Sequence, residues 1–302
     1  MKKTEAIGVF DSGIGGLSVL KQLLRFLPNE NYVYLGDTAR VPYGNKSDAT
    51  VKQYAEDCTK FLLGKNVKLI VVACNTVSAV ALEAVQKLAG EIPVIGMIQP
   101  AATAAIQSTN NGKIGIIGTR ATIQSNAYSK AIYELAVRQN IEQNTHRHSE
   151  LVSESPDINK VTLKQVQGDS VQVFSQECPL FVPLVEEGFL HHQATKQIAE
   201  EYLSGLIEES IDTLVLGCTH YPMLSQLLRD IIPNVVQIDS GEHSAVYALR
   251  LLAAQSLLCE ANNDYIMKHN IQFYVTDYPN HFYELSKNLL GFGIDTPELV
   301  GL

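Results

Sequence analysis

The sequence predicts an α/β protein built from two similar, doubly wound parallel-sheet domains, and three observations support this prediction. Strand-like and helix-like segments alternate along the 302 residues, as in parallel sheets with helices on both faces. Three strand motifs of the first half recur in the same order in the second half. One of these repeated motifs ends in a cysteine both times. We therefore expect two domains related by a pseudo-two-fold axis, with an active site in the cleft between them.

The alternation of elements can be followed along each half of the chain. In the first half, apolar runs predict strands at 7–10, 31–35, 68–73 and 93–97, and helical periodicity predicts helices at 16–26, 48–63 and 78–89. In the second half, strands are predicted at 113–117, 171–174, 213–216 and 235–238, and helices at 122–138, 192–208 and 223–231. A last amphipathic helix is predicted at 281–290.

The recurrence of strand motifs indicates an internal duplication. The run from Ile7 to Ser12 resembles the run from Ile114 to Thr119, and the strand before Cys74 resembles the strand before Cys218. The segment at 93–96 likewise resembles that at 234–241. A chance likeness of apolar strands would explain one pair, whereas three ordered pairs favour duplication.

The duplication predicts the domain organisation. We expect a discontinuous first domain formed by 1–97 plus 243–302, because the last stretch is predicted to return to it. The second domain is expected at 98–242, with a polar insertion at about 141–171 that is rich in Gln, Asn, Ser, Glu, Lys and His. His146 and His148 in this insertion have no acidic or thiol partner at ligand spacing, which favours a solvated loop over a metal site.

Composition excludes several classes of protein. The formal charge of −9 argues against a nucleic-acid surface, which would show a basic stripe. No segment approaches the roughly 20 apolar residues of a membrane span. Five cysteines without close pairing do not predict a disulfide framework, and reduced thiols fit a reducing cytosol. No signal peptide precedes the first predicted strand, so we expect a cytoplasmic protein without a membrane partner.

The repeated strand ends present the residues best suited to catalysis. Cys74 and Cys218 each follow a buried strand and precede small polar side chains. Ligands of parallel sheets bind at the carboxyl ends of strands, so the two thiols are expected to face one site. Two equivalent thiols suit chemistry that is symmetric about one atom, and racemisation is the simplest example.

Two further residues are candidates for moving protons. Asp11 ends the first strand in Asp11-Ser-Gly-Ile-Gly-Gly16, where it could relay a proton or only cap the following helix. This turn is not a dinucleotide-binding fingerprint, and the chain contains no phosphate-binding G-x-x-x-x-G-K-[ST] motif. His220 lies two positions after Cys218 and could act as its relay or proton donor.

Five motifs together resemble the glutamate racemase family of the aspartate/glutamate racemase superfamily. They occur in that family's order: Asp11-Ser-Gly-Ile-Gly-Gly16, Val41-Pro-Tyr-Gly44, Ala73-Cys-Asn-Thr76, Pro179-Leu-Phe-Val-Pro-Leu-Val-Glu186 and Gly217-Cys-Thr-His-Tyr-Pro222. The resemblance implies a cofactor-independent proton transfer at the α-carbon of glutamate. It also implies that the D-glutamate formed supplies peptidoglycan synthesis, and that the protein is a homodimer with glutamate as its small-molecule substrate.

The resemblance also implies roles for individual residues. Cys74 would deprotonate D-glutamate with help from Asp11, and Cys218 would deprotonate L-glutamate with help from His220 and Glu186. The substrate-binding residues that it implies are Ser12, Pro42, Tyr43 and Gly44 around one carboxylate, and Asn75, Thr76, Thr119, Thr122 and Thr219 around the other. Arg40, just before the second motif, could steer an anion or simply lie at the surface.

Other functions remain open on the sequence alone. Aspartate or hydantoin racemases and related decarboxylases share one or both strand-end cysteines, and activity on aspartate alone would favour them. A thiol-redox or zinc protein could use Cys74, Cys218 and His220, although no C-x-x-C motif or zinc-site spacing occurs. An amino-acid-binding protein would also have a two-domain cleft, but binding alone does not require duplicated cysteines.

Overall fold

Two parallel β-sheets form the framework of the chain. The computed structural model describes residues 2–147, 171–260 and 270–302. The first sheet has the order β10-β9-β2-β1-β3-β4 and the second has the order β6-β5-β7-β8. The strands are β1 Ala6–Asp11, β2 Tyr32–Gly36, β3 Val67–Val72, β4 Val94–Ile95, β5 Lys113–Gly118, β6 Gln172–Glu177, β7 Thr213–Gly217, β8 Val236–Asp239, β9 Ile271–Val275 and β10 Glu298–Leu299.

Twelve α-helices within the described residues cover and connect the sheets. They are α1 Leu17–Phe26, α2 Asp48–Leu63, α3 Asn75–Val80, α4 Leu82–Ala89, α5 Ile98–Ser108, α6 Arg120–Gln124, α7 Ala127–Arg147, α8 Phe181–Glu186, α9 Gln193–Glu208, α10 Ser225–Ile231, α11 Ser240–Ala254 and α12 Pro279–Leu290. Short 3₁₀ turns lie at Tyr43–Asn45 and Tyr221–Leu224. Among the described residues, no helix has the length and apolar character that crossing a membrane requires.

The repeated strand order confirms the predicted fold class of two parallel-sheet α/β units. The four strands β2-β1-β3-β4 of the first sheet have the same order as β6-β5-β7-β8 of the second. In each set, the strand that precedes the cysteine pairs with the first strand of that half. Strand β3 thus pairs with β1, and β7 pairs with β5. The first sheet is extended by β9, which pairs with β2.

Some predicted elements differ from the observed ones. The predicted helix at 78–89 is two helices, and it begins at Asn75, directly after Cys74. The predicted helix at 122–138 is also divided, because Asn126 adopts a left-handed backbone conformation with φ 56°. Helices α5, α8 and α11 and strands β9 and β10 were not predicted. Of the predicted insertion at 141–171, residues 148–170 lie outside the described residues.

Helix α11 connects the two halves. It packs against α1 of the first half and against α5, which leads from β4 into the second half. Asp239 caps its N-terminus by accepting hydrogen bonds from the N–H groups of Gly241 at 2.8 Å and Glu242 at 3.4 Å. The domain boundary proposed at 242/243 therefore falls inside this helix.

Burial of whole strands explains why the sheets form. Every residue of β1 from Ile7 to Asp11 is buried, and so is every residue of β3 and β7. Strands covered by helices on both faces are mostly apolar along their length, unlike the alternating strands of half-exposed sheets. The one charged residue of β3, Lys68, is buried in an ion pair with Glu30. The polar groups that follow these strands are consequently held at a rigid sheet edge.

Candidate active site

The two repeated cysteines line a single cavity between the halves. Cys74 follows β3 as the N-cap of α3, and Cys218 directly follows β7; each is 5% exposed. The cavity is small, with a volume of about 30 Å³. The predicted residues that line it are Ser12, Pro42, Tyr43, Gly44, Cys74, Asn75, Thr76, Thr119, Cys218, Thr219 and His220.

The surroundings of Cys74 favour its protonated form. Its thiol donates to the Oγ of Ser12 at 3.8 Å, and burial followed by the nearby Asp11 carboxylate raises the pKa of Cys74 to about 12. The N–H group of Val77 in α3 opposes this rise without cancelling it. At neutral pH, Cys74 is therefore protonated and holds a proton that it can donate.

Asp11 lies beneath the cavity wall and does not line it. The side chain is fully buried, and its Oδ2 accepts a hydrogen bond from the N–H group of Gly13 at 3.0 Å. Its Oδ1 has no hydrogen-bond partner among the described residues. Burial raises the pKa of Asp11, although the charge of His220 and neighbouring N–H groups partly oppose the rise. This carboxyl group thus has an unused oxygen and a weakened acidity, which suits a proton relay.

The surroundings of Cys218 are the opposite in charge. The Nδ1 of His220 lies 3.8 Å from the sulfur of Cys218, and its Nε2 lies 3.0 Å from Oε1 of Glu186. Burial lowers the pKa of His220, but the contacts with Cys218 and Glu186 outweigh burial and raise it to about 10. A protonated imidazole carries an N–H group on both ring nitrogens, so Nδ1 can donate to this sulfur while Nε2 donates to Glu186. The structure places Glu186, one residue before Glu187, on the far side of the imidazole from Cys218.

Tyr43 lines the cavity, but its hydroxyl is directed toward Asp37. Its hydroxyl donates to the carboxylate of Asp37, which also accepts from Nε of Arg40 at 2.6 Å. Arg40 donates in addition to Asp57 at 3.0 Å and stacks over the ring of Tyr54. The hydrogen bonds of Arg40 described above thus all lie within the first half of the molecule. Since the Tyr43 hydroxyl is bound to Asp37, Tyr43 can contact a ligand only through atoms other than that hydroxyl.

Hydroxyl and amide groups from the two halves meet on the other side of the cavity. The hydroxyl of Thr119 lies 3.0 Å from that of Thr76 and 2.9 Å from that of Thr122, which itself does not line the cavity. Asn75 accepts from the hydroxyl of Tyr128 at 2.5 Å and donates to Ser240 at 3.3 Å. These contacts join the halves and fix the groups that would hold a carboxylate.

Two cavity residues were not predicted. Val41 and Val182 contribute apolar surface to the cavity. Both lie inside the motifs at 41–44 and 179–186, but a valine side chain has no reactive or hydrogen-bonding group that would mark it as a site residue. Apolar walls exclude water and strengthen the charge interactions inside a site.

The geometry defines a class of protein. Two thiols at equivalent strand ends of a duplicated α/β fold, each beside its own ionisable partner, form the arrangement of the two-thiol amino-acid racemases. Among residues 2–147, 171–260 and 270–302, no three His, Cys, Asp or Glu side chains are grouped as a metal site requires.

Comparison with known proteins identifies the family. The sequence model of the Asp/Glu/Hydantoin racemase family matches residues 7–178, and the chain belongs to this family. The glutamate racemase of Chlorobaculum tepidum is 45% identical over 297 residues, which cover 98% of this chain and 96% of the relative. These matches confirm the resemblance to glutamate racemases that the motifs indicated.

Solved structures of glutamate racemases share the fold. The glutamate racemase of Francisella tularensis, crystallised with D-glutamate, superposes with a TM-score of 0.81 at 36% identity, covering 99% of this chain and 98% of that one. A glutamate racemase isoform from Bacillus anthracis superposes with a TM-score of 0.84 at 34% identity, with the same coverage of both chains. The likeness thus extends over both halves of the molecule.

Proposed function

We propose that the protein interconverts L- and D-glutamate by two-thiol proton transfer at the α-carbon, without a cofactor. The observation that carries this proposal is that Cys74 and Cys218 line one cavity from opposite halves of a duplicated fold. The glutamate racemases of Chlorobaculum tepidum and Francisella tularensis support glutamate as the substrate, the latter through its complex with D-glutamate.

The proposed reaction has a defined proton balance. Starting from L-glutamate, the thiolate of Cys218 removes the α-proton and becomes a thiol. The thiol of Cys74 gives its proton to the opposite face of the α-carbon and becomes a thiolate, releasing D-glutamate. In the reverse direction Cys74 is the base, with Asp11 assisting it, and Cys218 is the acid. Glu186 holds His220 in place and supports its positive charge.

The difficulty of the reaction lies in the carbanion character at the α-carbon. Without a cofactor as electron sink, fixed hydrogen-bond donors in a dry cavity must stabilise that charge. Ser12, Pro42, Tyr43 and Gly44 are proposed to surround one carboxylate of the substrate. The groups proposed around the other carboxylate are Asn75, Thr76, Thr119 and Thr219, with Thr122 acting through its contact with Thr119.

The cellular setting follows from the same proposal. D-glutamate is a precursor of peptidoglycan, so the enzyme would act in the bacterial cytoplasm and contribute to cell-wall synthesis. We also propose that it works as a homodimer and that its domains are 1–97 plus 243–302 and 98–242. Light scattering of the purified protein tests the dimer, because a monomer mass would contradict it.

The proposal is tested by α-proton exchange in deuterated water. L- and D-glutamate are incubated separately with the wild type, Cys74→Ser, Cys218→Ser and the control Cys178→Ser, with no cofactor added. Cys178 is a fully buried thiol that does not line the cavity. Deuterium entering with inversion is expected in the wild type and the control, and racemisation is expected to collapse in the other two variants. No inversion of glutamate by the wild type, or inversion of aspartate alone, would refute the proposal.

A further inference from the structure

A second and larger cavity lies beside the catalytic one. It has a volume of about 380 Å³, within the range of small-molecule sites. One wall is formed by Gly44–Asp48 of the first half, and the other is formed by residues of α6 and Ser125 of the second. We call this space the outer cavity, and the catalytic space the inner cavity.

The contact between Gly44 and Thr119 separates the two cavities. Gly44 lines both, Thr119 lines the inner one and Arg120 lines the outer one. A Cβ atom at position 44 would lie 2.7 Å from Cβ of Thr119, so the two halves touch closely here. The inner cavity, at about 30 Å³, holds about one water molecule. The outer cavity is therefore the space that adjoins the inner cavity across this contact.

The charged groups of the outer cavity are complementary to an amino dicarboxylate. Lys46 and Arg120 supply two cations and Asp48 supplies one carboxylate, and all three side chains are exposed. Free glutamate carries the inverse set of two carboxylates and one ammonium group. The exposed Arg120 also lies 3.7 Å from Glu177, but a contact of this kind contributes little and leaves the guanidinium able to bind a ligand.

We infer that the outer cavity is a binding site for an amino dicarboxylate on its way to the inner cavity, in which Lys46 and Arg120 bind the carboxylates and Asp48 the ammonium group. This inference rests on the proposed function for the identity of the ligand. Two cations at the rim also concentrate an anionic substrate around a protein whose formal charge is −9.

Kinetics of charge-matched variants test the inference. The double variant Lys46→Gln/Arg120→Gln is compared with Lys87→Gln/Lys130→Gln, which removes two exposed cations that line neither cavity. At low salt we expect KM for both enantiomers to rise by about 3- to 10-fold in the first variant, with kcat unchanged, because steering acts before chemistry. In about 1 M KCl, where the Debye length is about 3 Å, the difference should disappear. The inference would be overturned if KM and kcat of Lys46→Gln/Arg120→Gln equalled those of the control variant, or if kcat alone fell.

A binding measurement separates this inference from the proposed function. Equilibrium dialysis with radiolabelled DL-glutamate measures affinity for the wild type and both double variants, because a racemic ligand keeps its composition whether or not the protein racemises it. An inactive wild type refutes the proposed function, whereas equal affinities in the two double variants refute the outer site. Glutarate, which lacks the ammonium group, serves as a second probe. Asp48→Asn should weaken the binding of glutamate and strengthen that of glutarate, because the substitution removes a negative charge beside a dianion. An equal loss for both ligands would contradict the role of Asp48.

Discussion

Gly15 of the first half packs directly against the imidazole of His220 in the second half. A Cβ atom at position 15 would lie 2.5 Å from both Nδ1 and Cε1 of that ring, and 2.3 Å from Oγ1 of Thr219. Close by, the hydroxyl of Ser18 donates to the carbonyl of Thr219 at 2.7 Å. The glycine-rich turn that follows Asp11 therefore bounds the imidazole of His220 on one side, while Glu186 contacts it at Nε2.

Gly15→Ala is expected to impair catalysis by displacing His220. The added methyl group cannot be accommodated below 3 Å, and displacements near 1 Å cost about 100-fold in rate when reacting groups are involved. We expect kcat to fall by about 10- to 100-fold with the fold retained, as measured by steady-state racemisation and circular dichroism. The matched control is Gly205→Ala in α9, where a Cβ meets no atom within 4 Å. That control should keep full activity and gain about 0.5–1 kcal/mol in stability; wild-type kcat in Gly15→Ala would contradict the prediction.

His220 is expected to make folding stability depend on pH. Its pKa is raised from 6.5 in the unfolded chain to about 10 in the fold, so the native state binds the proton more tightly. This contribution to the free energy of unfolding is fully present below about pH 6.5 and is lost as the pH rises to about 10. Urea denaturation at both limits should show a steeper loss for the wild type than for His220→Gln. Parallel pH dependences of the two proteins would contradict the assignment.

Glu186→Gln is expected to slow one of the two proton transfers. The substitution removes the charge that lies 3.0 Å from His220 and should lower kcat/KM about tenfold. The fall must be equal for both enantiomers, because L- and D-glutamate have the same free energy. The asymmetry appears in isotope effects: that of α-deuterated L-glutamate should rise and that of α-deuterated D-glutamate should fall. Glu187→Gln, at the exposed neighbouring residue, is the control, and unchanged isotope effects in Glu186→Gln would exclude this role.

Asp11→Asn is expected to make Cys74 more acidic. The Asp11 carboxylate contributes to the raised pKa of Cys74, and asparagine keeps an oxygen that can accept from the N–H group of Gly13. Alkylation of Cys74 by iodoacetamide, followed by peptide mass spectrometry, should therefore have a lower pH midpoint in the variant. The peptide with the partly exposed Cys259 provides the internal control. An unchanged midpoint for Cys74 would show that Asp11 does not influence this thiol.

The strand-end residues were the part of the site that the sequence could reveal. Parallel strands deliver their carboxyl ends to one edge, so two similar strands before Cys74 and Cys218 were enough to place both thiols in one cavity. The choice of Glu186 over Glu187 came only from family resemblance. The direction of the Tyr43 hydroxyl toward Asp37 could not be read, because nothing in the chain between them specifies that hydrogen bond.

The missed elements depend on contacts between distant parts of the chain. Strand β9 is ordered by pairing with β2, and its Phe273 lies opposite Tyr34 in that pair. The β-branched and aromatic residues of Ile271–Val275 suit a strand, but the local sequence does not show which strand it pairs with. Helix α5 was missed because Pro100 lies in its first turn. Proline is tolerated at that position of a helix, but in a sequence it usually indicates that a helix ends.

The unequal surroundings of the two thiols have a consequence between turnovers. In the proposed mechanism, each conversion of L- to D-glutamate would leave the negative charge on Cys74 and the proton on Cys218, which is the reverse of the starting arrangement. The free enzyme would then exist as two protonation isomers, each able to deprotonate only one enantiomer. Burial and the Asp11 carboxylate raise the pKa of Cys74 to about 12, so a thiolate left at Cys74 is expected to take up a proton from solvent at neutral pH. In the proposed cycle this proton uptake would follow each L-to-D conversion, before the next L-glutamate is converted.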